Sequence, residues 1–254
     1  MLKIKEHSRE TPLIRTIRFR EKLPADPAQF VMVWVPGVDE FPMSVSYVGS
    51  RFGITYQIIG EGTKALAAMK TGEKIGIRGP YGRGFSLKGR RILVVAGGAG
   101  MAPIAPLLEE ASKRRIKVDL VLGARTKEGL LFEKRARKSG ASVHISTDDG
   151  TKGFKGFATE LAWSLLQGNK FDAIYACGPE KMAAKLMDMA TKKRTPMEAS
   201  LERIMKCGIG ICDSCAIDGR HVCKDGPVFS IKELKSFEDF GMTKLNQSGR
   251  KVPV

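Results

Sequence analysis

The sequence predicts a multidomain protein of β plus α/β class. It reads as an N-terminal antiparallel β-barrel, then a parallel α/β domain, then a small cysteine-bearing C-terminal segment. Three observations predict this. Short β-runs separated by turns fill the first ninety residues, strands and helices alternate from Arg91, and four of the five cysteines fall within seventeen residues at the far end. The 254 residues exceed the usual size of one domain, and 43% of them are apolar, enough for separate cores. The expected units are 1–89, 90–195 and 196–254.

In the first unit the β-runs are 13–20, 30–35, 43–48, 53–59 and 74–78, a spacing that suits an all-β barrel. One helix interrupts them, over about 63–69, with Thr63 as the expected N-cap. Three pieces stand out between the runs: Phe41-Pro42-Met43-Ser44, then Tyr56-Gln57 leading to Gly60-Glu61-Gly62-Thr63, then Gly79-Pro80-Tyr81-Gly82. Each alone is ordinary turn chemistry.

From Arg91 the strands ILVVAG, VDLVLGA, SVHIS and AIYACG alternate with helices expected at 101–114, 131–138, 157–166 and 180–191. That alternation argues for a parallel, Rossmann-like sheet covered by helices on both faces. Gly97, Gly98 and Gly100 stand where the first of these strands turns into a helix, as G-G-x-G-x-x-P. Such a turn brings backbone N–H groups and a helix N-terminus up to a phosphate, although glycines also serve plain packing there. Cys177-Gly178-Pro179 ends the fourth strand at the same sheet edge, where open α/β sheets bind ligands. Arg125, after the second strand, is placed to meet a 2′-phosphate or the adenosine region of a nucleotide.

Cys207, Cys212, Cys215 and Cys223 form a C-x4-C-x2-C-x7-C array. The first three follow the plant-type spacing of a 2Fe-2S cluster, in which a glycine-bearing loop directs N–H groups at the sulfurs. Gly208 and Gly210 give that loop its tight turns. A zinc knot and a disulfide framework are the alternatives. Zinc sites favour two close pairs, and disulfide frameworks favour small secreted domains, so both fit the spacing less well.

The formal net charge is +16, which raises nucleic acid as a partner. No motif supports it, because the basic clusters around 113–117, 134–138 and 192–194 lack interleaved aromatics and read as solvated helix faces. The uncharged run 92–108 contains three glycines and two prolines and reads as strand, turn and helix start rather than a membrane span. MLKIKEHSRE carries charges throughout and suggests no secretory signal, so a cytoplasmic protein is expected. His7, His144 and His221 are too scattered to form a catalytic group, with His221 the one near a cysteine.

The order P-x-S, G-x-G-T, G-P-Y-G, then GGAG-x-x-P and CGP resembles the ferredoxin reductase superfamily. With SLERIMKCGIGICDSCAIDGRHVCKDGPVF added, residues 2–234 resemble one branch, the electron-transfer subunit of type B dihydroorotate dehydrogenase. The resemblance implies FAD in the barrel, a nicotinamide nucleotide, NAD(H), as substrate of the α/β domain, and a 2Fe-2S cluster on the four cysteines. By the same carry-over Pro42, Met43, Ser44, Tyr56, Gln57, Gly62 and Thr63 touch FAD, Gly97, Gly98 and Gly100 face the pyrophosphate, and Cys177 lies near the nicotinamide. The implied partner is an FMN-containing catalytic subunit in a heterotetramer, and the implied pathway is pyrimidine synthesis. A gamma subunit of a cytoplasmic hydrogenase or sulfide dehydrogenase is the nearest alternative, and a zinc-bearing basic regulatory protein is one of another class. One departure matters: Phe41 stands where the superfamily has an arginine that helps hold a flavin phosphate. Lys64, at the expected helix start, is the candidate substitute.

Overall fold

The computed structural model describes residues 1–49 and 51–254. Its first sheet comprises β1 (Leu2–Lys3), β2 (Glu6–Arg9), β3 (Ile14–Arg18), β4 (Phe30–Val35), β5 (Asp39–Tyr47), β6 (Gly53–Gln57) and β7 (Lys74–Tyr81). Their order is β1-β7-β4-β5-β6-β3-β2, antiparallel throughout. One N-terminal stretch closes the barrel, because β1 pairs with β7 while β2, a few residues on, pairs with β3. Val31, Val33, Val45, Ile17, Ile54 and Ile75 fill the interior, and α1 (Glu61–Ala68) packs Leu66 into that core.

The helix begins earlier than the sequence suggests. Gly60 is its N-cap, and Thr63 stands at the third helical position, which corrects the expectation of Thr63 as the cap. Thr63 still serves the helix start, because its Oγ1 accepts the N–H of Ile59 at 2.9 Å and of Gly60 at 3.0 Å.

The second sheet follows β8 (Arg91–Gly97), α2 (Met101–Lys113), β9 (Lys117–Ala124), α3 (Glu133–Lys138), β10 (Ser142–Thr147), β11 (Phe154–Lys155), α4 (Ala158–Gly168), β12 (Ala173–Cys177), α5 (Glu180–Lys192) and β13 (Met197–Ser200). The strand order is β11-β10-β9-β8-β12-β13, parallel throughout. Apolar side chains of α2 and α3 pack on one face and those of α4 and α5 on the other. The order reverses between β8 and β12, which makes their carboxyl ends the switch point where doubly wound sheets bind ligands.

The chain beyond Pro196 is knitted into this sheet. Strand β13 extends it, and the hairpin β14 (Ala216–Ile217) and β15 (Arg220–His221) leads through α6 (Val222–Asp225) to β16 (Val228–Ser230), which pairs antiparallel with β13. The chain ends with α7 (Ile231–Leu234) and a hairpin of β17 (Thr243–Leu245) and β18 (Lys251–Pro253). Among the described residues no helix is long and apolar enough to cross a membrane.

Candidate functional site

The four C-terminal cysteines come together as two pairs. The thiols of Cys207 and Cys212 lie close enough to shift one another's ionisation, as do those of Cys215 and Cys223. Gly208 and Gly210 adopt φ of +75° and +77°, conformations that cost glycine little. Those turns aim amides at sulfur: the N–H groups of Ile209 and Ile211 donate to Cys207 Sγ at 3.5 and 3.4 Å, and that of Gly210 to Cys223 Sγ at 3.1 Å. Cys223 N–H donates to Cys215 Sγ at 3.4 Å.

Burial pushes the Cys207 thiol up, but the N–H groups of Ile211, Ile209 and Cys212 outweigh it and bring the thiol down to about 6. The Ser214 hydroxyl lowers Cys212 against a smaller effect of burial. Burial and then Cys215 push the Cys223 thiol up to about 12. Among the described residues no three His, Cys, Asp or Glu side chains converge on a single metal ion. Two thiol pairs under a canopy of amides fit a dinuclear cluster, with two thiolates for each iron. The seven residues between Cys215 and Cys223 form a tight hairpin whose turn, Asp218-Gly219, has positive φ at both positions. His221 Nε2 lies 2.5 Å from Asp213 Oδ1, so that histidine is engaged beside the loop rather than with a sulfur.

The cluster loop rests on the barrel. A Cβ on Gly208 would meet Met32 Cγ at 2.9 Å, and Tyr81 lies behind it. Met32 pairs across the sheet with Pro42, so the cluster loop neighbours the first flavin-site candidate. Alternation along β5 sends Pro42 and Ser44 to this outer face, while Phe41 and Met43 pack against the barrel core. Tyr56 also points inward: it is fully buried, and its hydroxyl lies 2.9 Å from His7 Nε2. Gln57 is exposed beside it. Gly62 is pinned by Phe41, whose ring a Cβ there would meet at 2.5 Å. Position 41 therefore lays an uncharged ring against the start of α1, whose first-turn N–H groups lack intrahelical partners. Lys64 stands exposed one residue past Thr63. The nearby Arg78 is already committed to Glu40, with contacts of 2.7 and 2.8 Å.

At the switch point two backbone turns interlock. A Cβ on Gly100 would meet the carbonyl oxygen of Cys177 at 2.3 Å, one on Gly97 would meet Pro179 at 2.9 Å, and one on Gly178 would meet the Gly97 nitrogen at 2.9 Å. Close packing thus demands Gly97 and Gly100. Gly98 is different: its φ is +54° and nothing lies within 4 Å, so it presents the open side of the turn. Cys177, whose carbonyl lies against Gly100, is buried, and burial, Glu202 and a weaker opposing bond from Ser200 leave its thiol near 12, hence neutral. Arg125 is exposed at the carboxyl end of β9, and its carbonyl accepts the Asp149 N–H at 3.2 Å.

Sequence reasoning missed the Arg203–Glu180 ion pair. Its side chains are 1% and 7% exposed, it joins the segment before Cys207 to the first residue of α5, and Nη2 to Oε1 is 2.9 Å. It also neutralises Glu180 at the N-terminus of that helix. Tyr47 was missed as well, a barrel residue with the guanidinium groups of Arg18 at 4.4 Å and Arg135 at 3.7 Å from its ring centre. Neither leaves a mark in periodicity or spacing.

Residues 202–235 match the model of the iron-sulfur cluster binding domain of dihydroorotate dehydrogenase B, and residues 94–188 match that of the oxidoreductase NAD-binding domain. The chain is 46% identical over 252 residues to a probable dihydroorotate dehydrogenase B (NAD(+)), electron transfer subunit, of Methanocaldococcus jannaschii, covering 98% of this chain and 96% of that one. A protein of the same description from Methanocella arvoryzae is 45% identical, covering 99% and 97%. Among solved structures, the one described under flavin-based electron bifurcation by an NADH-dependent reduced ferredoxin-NADP oxidoreductase aligns with a TM-score of 0.83 at 26% identity, over 92% of this chain and 89% of that one. A flavohemoglobin from Malassezia yamatoensis aligns with a TM-score of 0.64 at 13% identity, over 76% and 56%, a likeness of fold alone. The fold is that of the ferredoxin reductases, and the chain belongs to the family of dihydroorotate dehydrogenase B electron transfer subunits. That reading stands over the hydrogenase, sulfide dehydrogenase and zinc-protein alternatives.

Proposed function

We propose that the chain passes electrons between NAD(H) and a dihydroorotate-oxidising, FMN-bearing catalytic subunit, with which it forms a heterotetramer in the cytoplasm for pyrimidine synthesis. The observation that carries this reading is the cluster loop, two thiol pairs under backbone amides, packed through Gly208 on the barrel face that holds Met32 and Pro42. When bound, FAD exchanges electron pairs with nicotinamide and single electrons with the cluster, which neither of those does for the other.

The chain's own residues supply position. Cys207, Cys212, Cys215 and Cys223 hold the iron, and the amides of Ile209, Gly210 and Ile211 stabilise negative charge on the sulfurs. Pro42, Met43, Ser44, Tyr56, Gln57, Gly62, Thr63 and Lys64 form the flavin site of unit 1–89; Tyr56, whose hydroxyl is taken by His7, serves it through its main chain. Gly97, Gly98, Gly100 and Arg125 bind the nucleotide on unit 90–195. Cys177, as a buried neutral thiol, borders the nicotinamide without placing a charge beside the transferred hydride. Residues 196–254 carry the cluster.

The test is anaerobic mixing of purified chain and catalytic subunit with dihydroorotate and NAD+. Formation of NADH that requires both proteins supports the proposal. NADH formation by the catalytic subunit alone, at the same rate, contradicts it.

A further inference from the structure

The basic clusters that lie scattered along the sequence are gathered by the parallel sheet. Strands β8, β9, β10, β12 and β13 run parallel, so all five begin at one edge. The turns that lead into them carry Lys and Arg at 88–91, 113–117, 138, 170 and 192–194, twelve in all. Backbone bonds stitch these turns together: Lys117 N–H donates to the Arg90 carbonyl and Asp172 N–H to that of Arg91, both at 2.8 Å. Glu110, Asp119, Asp172 and Glu198 lie among them and take up part of the charge, as in Arg91–Asp119 at 3.0 Å and Arg114–Glu110 at 2.8 Å. The carboxyl ends of α2, α3, α4 and α5 point to the same edge, and each offsets roughly half a charge more. About six positive charges remain uncompensated, more than helix-end stabilisation accounts for.

We propose that this amino edge of the second sheet is a docking face for an anionic lipid surface, on which the protein rests peripherally. Three observations favour that occupant over nucleic acid. The charges lie on both sides of the sheet, with 113–115 following α2 on one face and 192–194 following α5 on the other. Such an array suits a plane of headgroups better than the track of one strand. The connections are short turns, so among the described residues no helix or hairpin projects from this edge to enter a groove. No large apolar side chain of the edge is exposed either, which gives bases nothing to stack on and makes the attachment electrostatic and reversible. The glycine turn at Gly97 stands at the other end of β8, roughly 20 Å away, so docking leaves the nucleotide edge open.

The experiment measures partition of the purified holoprotein onto vesicles of mixed phosphatidylglycerol and phosphatidylcholine, and onto phosphatidylcholine alone, at low and high salt. Lys117→Glu with Lys192→Glu carries the test, and Lys22→Glu with Lys74→Glu on the barrel changes the net charge equally elsewhere; all four lysines are exposed. Iron and flavin content confirm that each variant is loaded. Wild type should bind the anionic vesicles at low salt, release them at high salt and ignore the neutral ones. The amino-edge pair should weaken partition about tenfold or more, and the barrel pair less than about twofold. Failure of wild type to bind anionic vesicles, or equal weakening by both pairs, overturns the docking face. Tighter binding of duplex RNA than of the vesicles at the same salt overturns the lipid assignment and gives the face to nucleic acid.

Discussion

Gly208 is the residue where local geometry and chemistry meet most tightly. Its φ of +75° and its contact with Met32 leave no room for a side chain. Gly208→Ala should cost about 1–2 kcal/mol for the left-handed backbone alone and lower the iron bound per chain, while FAD occupancy stays near that of wild type. Equal iron in both proteins would show that the loop tolerates another path. Lys64→Ala should weaken FAD about tenfold at low salt if this lysine replaces the arginine absent at position 41, since a charge-assisted bond to phosphate is of that order. Equal dissociation constants would reject the substitution. Cys177 gives a prediction in pH. Its folded thiol, at about 12, lies above the ordinary 9.0, so its contribution to stability is complete below the unfolded value and is lost as pH rises toward the folded one. The urea midpoint of wild type should therefore fall between pH 8.5 and about 11 more steeply than that of Cys177→Ala. Parallel curves would mean that the thiol ionises freely in the folded protein.

Between elements, the Arg203–Glu180 pair ties the cluster segment to α5, and the Gly241 N–H adds a third strap to Glu180 at 2.8 Å. Removing one member strands a buried charge. Arg203→Met should destabilise by about 3–5 kcal/mol, and Arg203→Met with Glu180→Gln should recover much of that, because an uncharged pair carries no unpaired ion. Urea midpoints for the two variants check this; equal midpoints would show that Glu180 finds another partner. Such a pair is invisible in sequence, where Arg203 and Glu180 look like two more surface charges. The same limit hid β1 and β2, because Leu2–Lys3 is too short to show alternation and Glu6–Arg9 contains no apolar residue. Strand β13, four residues long and directly after Pro196, was too short to stand out. By contrast the glycine turn after β8 and the parallel strands were legible, because burial restricts residue type at fixed spacing. What spacing could not show was that Gly97 and Gly100 serve packing while Gly98 stays open, a distinction made by Cys177 and Pro179 from far along the chain.

For the molecule as a whole, the chain beyond Pro196 joins the barrel sheet to the second sheet. Gly208 leans on the barrel at Met32, and Arg83 of the barrel donates to the Val228 carbonyl at 2.8 Å and pairs with Glu233 at 2.9 Å. The carboxyl edge of β8 and β12, the barrel face at Met32 and Pro42 and the four C-terminal cysteines are thereby held in one arrangement. The central claim is that the four thiols hold a 2Fe-2S cluster that receives electrons originating from NADH through FAD. Anaerobic addition of NADH to the purified holoprotein, followed by low-temperature electron paramagnetic resonance and by iron and FAD analysis, tests it most directly. The account predicts about two irons per FAD and a reduced-cluster signal that appears on NADH addition and is absent from Cys212→Ser. A folded, FAD-containing protein that holds zinc in place of iron, or a cluster that stays oxidised while NADH bleaches the flavin, would contradict it.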